Sequence, residues 1–222
     1  RASKRLSNFT GLRLVAVPGL IPETDFFAPH AQRQFPVTEW IRRPDEIDYL
    51  VEPDIFPDFF GHVPLLFNPA FANTMQVYGE KGTEAARLGC SPILTRLYWY
   101  MVEFGLIQTS AGLKAYGAGM LSSAAETRFS IEDESPNRIG FDLERVMRTT
   151  YRIDDFQETY FVLDSFEQLF QATERDFAAL YQKIKTLPEI APDAVLPDDR
   201  VISRGSGQWK RTRTFSMPSA AA

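Results

Sequence analysis

The chain has 222 residues, of which 44% are hydrophobic, with 18 Phe and 8 Tyr. This length and composition predict a globular protein with an aromatic-rich core rather than a disordered or fibrous chain. A formal charge of −5 argues against nucleic acid or an anionic membrane as the main partner. The single cysteine excludes an internal disulfide framework, and no apolar run approaches the roughly 20 residues needed to span a bilayer. We therefore expect a cytoplasmic location.

The first third of the sequence predicts short elements followed by helices. Residues 11–43 contain several prolines and glycines, which favour loops and short elements. From Asp54 onward the pattern is helical, and this aspartate is expected to cap a helix that runs towards His62. Asn68 is expected to cap the next helix, which we predict to reach Tyr78.

The clearest internal helix signal begins at Ser91, because the following residue, Pro92, is favoured in the first helical turn. Apolar residues then recur at helical spacing at Leu94, Leu97, Tyr98, Met101 and Phe104. This periodicity predicts a helix with one buried face throughout the segment.

The rest of the sequence predicts a small amount of β-structure between helices. Two short β-like runs within residues 105–120 favour a hairpin, and residues 158–163 favour a strand. Ser165 is expected to cap one long helix that continues to Ile184. The mildly basic segment 205–222 is expected to be a flexible tail. These elements together predict a mainly α fold with minor β-structure.

One histidine and one glutamate are candidate metal ligands. His62 ends the aromatic run in EPDIFPDFFGHVPLL, and Glu103 lies inside the apolar segment LYWYMVEFGL. A lone histidine is more often a core residue bonded to a backbone carbonyl. A carboxylate in an aromatic helix is costly unless it pairs with a cation such as arginine or binds a metal. Taken together, the two residues also fit the imidazole and carboxylate ligands of a non-heme iron site, and both interpretations remain open.

Arg42, in EWIRRPDE, is a candidate for binding a carboxylate substrate. A guanidinium presents parallel N–H donors that match a carboxylate in a bidentate pair. The competing interpretation is a surface ion pair with Glu39 or Asp45.

The segment KAYGAGMLSS contains glycines but lacks the spacing of a nucleotide-binding fingerprint. We interpret it as tight packing near a site. Ser122 and Glu126 are then candidates for supporting the residues that bind ligands.

Four segments together resemble the catalytic domain of the pterin-dependent aromatic amino acid hydroxylases, most closely the bacterial phenylalanine 4-monooxygenases. They are EPDIFPDFFGHVPLL, RLYWYMVEFGLIQT, LKAYGAGMLSS and DDFQETYFVLDSFEQLF. Their order and spacing are similar from about Leu6 to Arg204, so we expect one such catalytic domain over residues 1–204. The resemblance implies Fe(2+) held by two histidines and one glutamate. It also implies tetrahydrobiopterin or a related tetrahydropterin, and the conversion of L-phenylalanine and O2 to L-tyrosine.

The resemblance also implies roles by position. The iron ligands would include His62 and Glu103. The amino acid would be bound by Arg42, Trp99 and Phe104. The pterin would be bound by Gly19, Ile21, Phe26, which offers a stacking face, and Asp58. The hydroxyl of Ser122 would support a histidine ligand.

Pro57 departs from the family pattern. The family's first histidine ligand lies five residues before the second, and proline stands there in this chain. Proline has no side-chain donor for iron, so we expect iron affinity to fall severely. The fold should survive, because the first helical turn has no intrahelical partner for its N–H groups. Neither the neighbouring Asp58, which points about 100° away on a helix, nor His30, which is expected at the surface, replaces the lost ligand.

Three functional hypotheses follow from this departure. The first is a phenylalanine 4-monooxygenase with activity impaired or altered at the iron. The second is a non-catalytic homologue that binds a pterin or an aromatic amino acid. The third is an ordinary hydroxylase in which Pro57 is an isolated change. A monomer without nucleic acid or membrane partners is expected in each case.

Overall fold

The computed structural model describes residues 1–19, 21, 23–43, 54–153 and 155–207. The α-helices of this part are α1 Ala2–Thr10, α2 Glu23–Ala31, α3 Val63–Leu65, α4 Pro69–Arg87, α5 Ser91–Tyr98, α6 Ala118–Leu121, α7 Ala124–Glu132, α8 Leu143–Arg148, α9 Phe166–Thr173 and α10 Phe177–Lys185. The strands are β1 Arg13–Val17, β2 Gln34–Thr38, β3 Leu106–Thr109, β4 Gly112–Ala115, β5 Asn137–Gly140, β6 Thr159–Leu163 and β7 Val201–Ser203. Two π-helices, Phe56–His62 and Trp99–Glu103, complete the set. The predicted mainly α fold with minor β-structure is confirmed.

The strands form two small sheets. β1 and β2 pair in parallel, with Arg13 opposite Gln34. The larger sheet has the order β4-β3-β6-β5-β7, in which β3 and β4 form the predicted antiparallel hairpin. β6 runs parallel to both of its neighbours, β3 and β5. Residues 11–43 contain the short elements β1, α2 and β2, as their prolines and glycines predict.

α4 shows why one predicted helix end was wrong. Asn68 caps the helix as expected, accepting hydrogen bonds from the backbone N–H groups of the next turn. The helix continues past Tyr78 to Arg87 through two glycines. A Cβ on Gly79 would lie 2.2 Å from the backbone nitrogen of Ala31, and one on Gly82 would lie 2.1 Å from the ring of Phe27. These glycines are therefore packing positions where α2 crosses α4, and they do not end the helix.

The predicted long helix from Ser165 is two helices. Ser165 caps α9 by accepting a hydrogen bond from the backbone N–H of Gln168. The chain then leaves the helix after Thr173, and Asp176 caps α10 by accepting from the backbone N–H of Ala179. Aspartate is favoured at a helix N-terminus over a helix interior. A new helix therefore starts at Asp176, although the apolar spacing continues across this point.

The core is aromatic, as the composition predicts. The largest fully buried side chains include Tyr100, Tyr160, Tyr181, Phe35, Phe71, Phe161 and Phe177. Within the described residues, no helix is both long enough and apolar enough to cross a membrane.

The start of the predicted tail is attached to the sheet. Gly205 donates its backbone N–H to the side-chain oxygen of Asn137 at 2.9 Å, and the backbone N–H of Ser206 reaches the carbonyl of Glu134. Residues 208–222 lie outside the described residues. The domain boundary at residue 204 and the flexible tail stay predictions.

Candidate active site

The first π-helix places position 57 and His62 on one side of the backbone. A π-helix is bonded between residues five apart, and here Val63 donates its backbone N–H to the carbonyl of Asp58. Residues five apart therefore lie about one turn above each other. Pro57 is in the first turn, as expected, where its missing N–H removes no helical bond.

The second π-helix brings Glu103 to His62. Nε2 of His62 and Oε1 of Glu103 are 3.1 Å apart, and the two side chains are 3% and 19% exposed. Burial opposes the charged imidazole, but Glu103 and Asp58 outweigh burial and raise the pKa of His62. Nδ1 of His62 has no hydrogen-bond partner among the described residues. The carboxylate that we expected to face either a cation or a metal thus faces an imidazole.

The glycine-rich segment that contains α6, which we expected to be tightly packed near a site, is packed against both π-helices. A Cβ on Gly61 would lie 2.5 Å from the Cβ of Ala118. A Cβ on Gly117 would lie 2.2 Å from the backbone oxygen of Glu103, and one on Gly119 would lie 3.2 Å from its Oε2. A methyl group at Gly61 or Gly117 would overlap these atoms, and one at Gly119 would require its neighbours to shift. The close contact holds the His62 and Glu103 backbones in place.

Asp58 is tied to the end of β2. Its Oδ2 accepts hydrogen bonds from the backbone N–H and the hydroxyl of Thr38, at 2.8 and 2.9 Å. Burial raises the pKa of Asp58 above its usual value, although these hydrogen bonds oppose the shift. Thr38 was not identified from the sequence, because nothing in its local pattern indicates this contact.

Arg42 is held by the buried carboxylate of Asp54, and Asp45, one of the two partners expected for it, lies outside the described residues. Asp54 is fully buried and accepts the Nη2 and Nε of Arg42 at 2.8 and 3.0 Å, together with its backbone N–H at 2.8 Å. Burial alone would raise the pKa of Asp54, but these hydrogen bonds outweigh it and lower that pKa. Asp54 also accepts the N–H of Phe56. The N-cap of this π-helix is nevertheless Ile55 and not Asp54 as predicted, because the Asp54 carboxylate is engaged in fixing the guanidinium.

Trp99 and Phe104 form an aromatic group at the ends of the second π-helix. Their ring centroids are 4.8 Å apart, and Trp99 stacks on Tyr151 at 4.5 Å with an interplanar angle of 18°. The indole N–H of Trp99 donates to the side-chain oxygen of Gln157 at 3.0 Å. Gln157 was missed in the sequence, since no spacing relates it to Trp99.

Phe26 lies in an aromatic cluster that contains the second histidine. Its ring is 4.4 Å from that of His30 and 5.2 Å from that of Tyr98. The surface placement expected for His30 is wrong. This residue of α2 is 2% exposed, and its ring packs against β2 and α4. Gly19 and Ile21 are half-buried and lie between β1 and α2.

The two candidate supporting residues have different surroundings. The hydroxyl of Ser122 donates to the carbonyl of Gly119 at 2.8 Å, so it reaches no histidine in this structure. Glu126 is buried, and its Oε1 accepts the hydroxyl of Tyr160 at 2.9 Å and the backbone N–H of Gln157 at 3.3 Å. Burial raises the pKa of Glu126 to about 7.

The donor atoms present do not complete a site for two histidines and one carboxylate on iron. His62 and Glu103 supply two donors, and their 3.1 Å separation suits neighbouring ligands of one ion as well as a hydrogen bond. Pro57 supplies none, and Asp58 is engaged by Thr38. Among the described residues, no group of three His, Cys, Asp or Glu side chains could hold a metal ion. The Fe(2+) of that arrangement therefore does not fit this chain as it stands.

Comparison with known proteins identifies the family. The family model of the biopterin-dependent aromatic amino acid hydroxylases matches residues 1–188. Phenylalanine-4-hydroxylase of Ralstonia nicotianae is 55% identical over 213 residues, which cover 96% of this chain and 68% of that protein. The corresponding protein of Chromobacterium violaceum is 54% identical, and 72% of its length is covered. The crystal structure of phenylalanine hydroxylase from Chromobacterium violaceum bound to cobalt matches with a TM-score of 0.88 at 55% identity, covering 90% of this chain and 72% of that chain. The chain therefore belongs to the biopterin-dependent aromatic amino acid hydroxylase family.

Proposed function

We propose that this chain is a tetrahydropterin-dependent monooxygenase that converts L-phenylalanine to L-tyrosine, and that Pro57 lowers its iron affinity and its turnover. The observation that carries the proposal is the pairing of His62 with Glu103 across the two π-helices. A buried imidazole and a half-buried carboxylate 3.1 Å apart are arranged as two adjacent ligands would be. Relatives that are 54–55% identical are phenylalanine-4-hydroxylases.

The amino acid is bound by Arg42, Trp99 and Phe104 in this proposal. Asp54 holds the Arg42 guanidinium in one orientation, which lowers the entropy lost when the substrate carboxylate binds. Trp99 and Phe104 offer apolar faces for the phenylalanine ring. Aromatic side chains bury a large area with few rotatable bonds, so they suit a ring of this size.

The pterin is bound by Gly19, Ile21, Phe26 and Asp58 in this proposal. Phe26 is half-buried at the edge of the site and offers its ring for stacking. Burial keeps the pKa of Asp58 raised, and its carboxyl is oriented by Thr38. In this proposal iron would supply the oxygen chemistry together with the pterin, and Pro57 would lower the affinity for that iron.

The test is metal analysis and tyrosine formation for the wild-type chain beside Pro57→His. Position 57 lies one π-helical turn from His62, so a histidine there adds a donor on the correct side. We expect bound iron and tyrosine production to rise together. The matched control is Pro69→His, which makes the same chemical change at an exposed proline in the first turn of α4 and should change neither.

Three results would contradict the proposal in whole or in part. Absence of tyrosine above background from both the wild-type chain and Pro57→His, with excess iron and tetrahydropterin, would exclude the activity. An equal gain from Pro69→His would show that position 57 is not a ligand position. Full activity of the wild-type chain would mean that Pro57 does not impair the site, and would favour the third hypothesis of an ordinary hydroxylase.

The second candidate function is a non-catalytic homologue that binds a pterin or an aromatic amino acid. It is favoured by Pro57 alone, because Arg42, Trp99, Phe104 and Phe26 remain in place while one metal donor is lost. Calorimetry with phenylalanine and tetrahydrobiopterin distinguishes the two. Binding without turnover, and without stoichiometric iron in the wild-type chain and in Pro57→His, would favour this candidate.

A further inference from the structure

Gln157 links the candidate amino acid pocket to the core of the large sheet. It is 2% exposed and lies just before β6. Its Oε1 accepts the indole N–H of Trp99 at 3.0 Å, and its Nε2 donates to the backbone oxygen of Arg152 at 2.9 Å. The carboxamide oxygen of Gln157 therefore accepts from the Trp99 side chain, and its NH2 group donates to the backbone of Arg152.

This donor and acceptor pattern fixes the orientation of the carboxamide. If the group were flipped, its NH2 would face the indole N–H of Trp99, and its oxygen would face the carbonyl of Arg152. Both contacts would then place like partners together, donor on donor and acceptor on acceptor. Only one orientation makes both hydrogen bonds, so the position of the accepting oxygen is set.

Glu126 fixes the backbone of the same residue. Its Oε1 accepts the backbone N–H of Gln157 at 3.3 Å and the hydroxyl of Tyr160 at 2.9 Å. Tyr160 is fully buried in β6. A chain of hydrogen bonds thus runs from the sheet through Glu126 and Gln157 to Trp99, and buried, fully bonded networks of this kind hold one arrangement.

We propose that Gln157 is a positioning residue that fixes the rotation of the Trp99 indole within its own plane, in the orientation in which it forms the wall of the phenylalanine pocket. Tyr151 and Phe104 contact the Trp99 ring and restrict its tilt, but stacked rings allow rotation within the ring plane. The Gln157 oxygen determines that remaining rotation, because it is the partner of the indole N–H. The role of the wall in binding rests on the proposed function, whereas the orientation of the indole does not.

The proposal is tested on the whole chain with Gln157→Leu, Gln157→Glu and the matched control Gln168→Leu. Leucine removes the acceptor, and glutamate keeps an acceptor oxygen for the indole. Gln168, in α9, likewise uses its side-chain oxygen as an acceptor, here for the backbone N–H of Asp164 at 2.9 Å. Nitrogen-15 NMR follows the indole N–H signals of the three tryptophans, and Trp99→Phe assigns the signal of Trp99.

The expected result is faster exchange of the Trp99 indole proton and weaker phenylalanine binding in Gln157→Leu. Loss of one buried hydrogen bond corresponds to roughly a tenfold change in the exchange rate of the indole proton and in the dissociation constant for phenylalanine. Gln157→Glu should restore much of the protection of the indole proton, and Gln168→Leu should behave like the wild-type chain. In the Trp99→Phe background, Gln157→Leu should have no further effect on phenylalanine binding, because its target is already absent.

The outcomes separate this inference from the proposed function. Unchanged exchange of the Trp99 indole proton in a folded Gln157→Leu would overturn the positioning role. Faster exchange with unchanged phenylalanine affinity would overturn the link to the pocket. Faster exchange when neither the wild-type chain nor the variant binds phenylalanine would support the positioning role and contradict the proposed function. If Gln157→Leu does not fold, equal indole protection in Gln157→Glu and in the wild-type chain supports the role, and lost protection overturns it.

Discussion

The buried histidine His30 should make the fold sensitive to acid. Nδ1 of His30 is 2.6 Å from the backbone oxygen of Phe26, which identifies Nδ1 as the protonated nitrogen of a neutral ring. Nε2 has no hydrogen-bond partner among the described residues. Protonation would therefore create a buried N–H without an acceptor, in a position surrounded by the rings of Phe26, Phe35 and Tyr78. Burial accordingly lowers the pKa of His30 to about 4.

The magnitude follows from linkage between protonation and folding. The unfolded chain takes up this proton near pH 6.5, whereas the folded chain resists it to about pH 4. Because the pKa is lower in the folded state, the contribution to stability is present above pH 6.5 and is lost as the pH falls towards 4. The whole shift corresponds to about 3 kcal/mol, of which about 2 kcal/mol should be lost between pH 7 and pH 5.

His30→Leu removes the titrating group while keeping an apolar side chain of similar size. Urea unfolding of the wild-type chain and of His30→Leu at pH 7 and at pH 5 gives four free energies of unfolding. The variant should lose about 2 kcal/mol less than the wild-type chain between these pH values. Effects of the substitution that do not depend on pH cancel in this difference. An equal loss in both proteins would refute the argument that His30 is neutral and buried.

Three further predictions concern stability. Gly61→Ala should lower the free energy of unfolding by about 1–3 kcal/mol, because the added methyl group would meet Ala118 at 2.5 Å; an unchanged urea midpoint would contradict this packing. Glu126→Gln should flatten the pH dependence of stability, since the pKa of Glu126 is raised to about 7 in the fold. The wild-type chain should lose about 2 kcal/mol more than Glu126→Gln between pH 5 and pH 8, and thermal unfolding at the two pH values measures this. Asp176→Ala should cost about 1 kcal/mol through the lost cap of α10, whereas no change in unfolding would mean that the cap contributes nothing.

Interactions between residues close in sequence were predicted well. The capping residues Asn68 and Ser165 act as expected, and the β3–β4 hairpin forms between the predicted runs. Such features depend on residues three or four positions apart, so their hydrogen bonds can be inferred without the rest of the fold. The helix end predicted at Tyr78 was wrong because packing against the distant α2 allows α4 to continue. The single helix predicted from Ser165 to Ile184 was wrong because Asp176 caps a second helix inside the apolar pattern.

The candidate site was predicted in part for the same reason. Similarity to the family supplied His62, Glu103 and the expected ligand at position 57, but it did not supply their mutual geometry. The buried position of His30 was missed, because helix α2 follows no marked amphipathic pattern and its burial depends on β2 and α4 packing around it. The contacts of Asp54 with Arg42 and of Thr38 with Asp58 were also missed, since they join residues 12 and 20 positions apart.

By itself, the sequence determined the aromatic core, the local capping, the family and the chemical fact that Pro57 cannot bind a metal. These depend on residue type, on short-range hydrogen bonds and on motif order. Only the tertiary structure decided that His62 faces Glu103 and that Gln157, 58 positions from Trp99, accepts its indole N–H. The physical reason is that such contacts depend on how the π-helices and strand β6 pack against each other. The spacing of residues close in the sequence does not predict this packing.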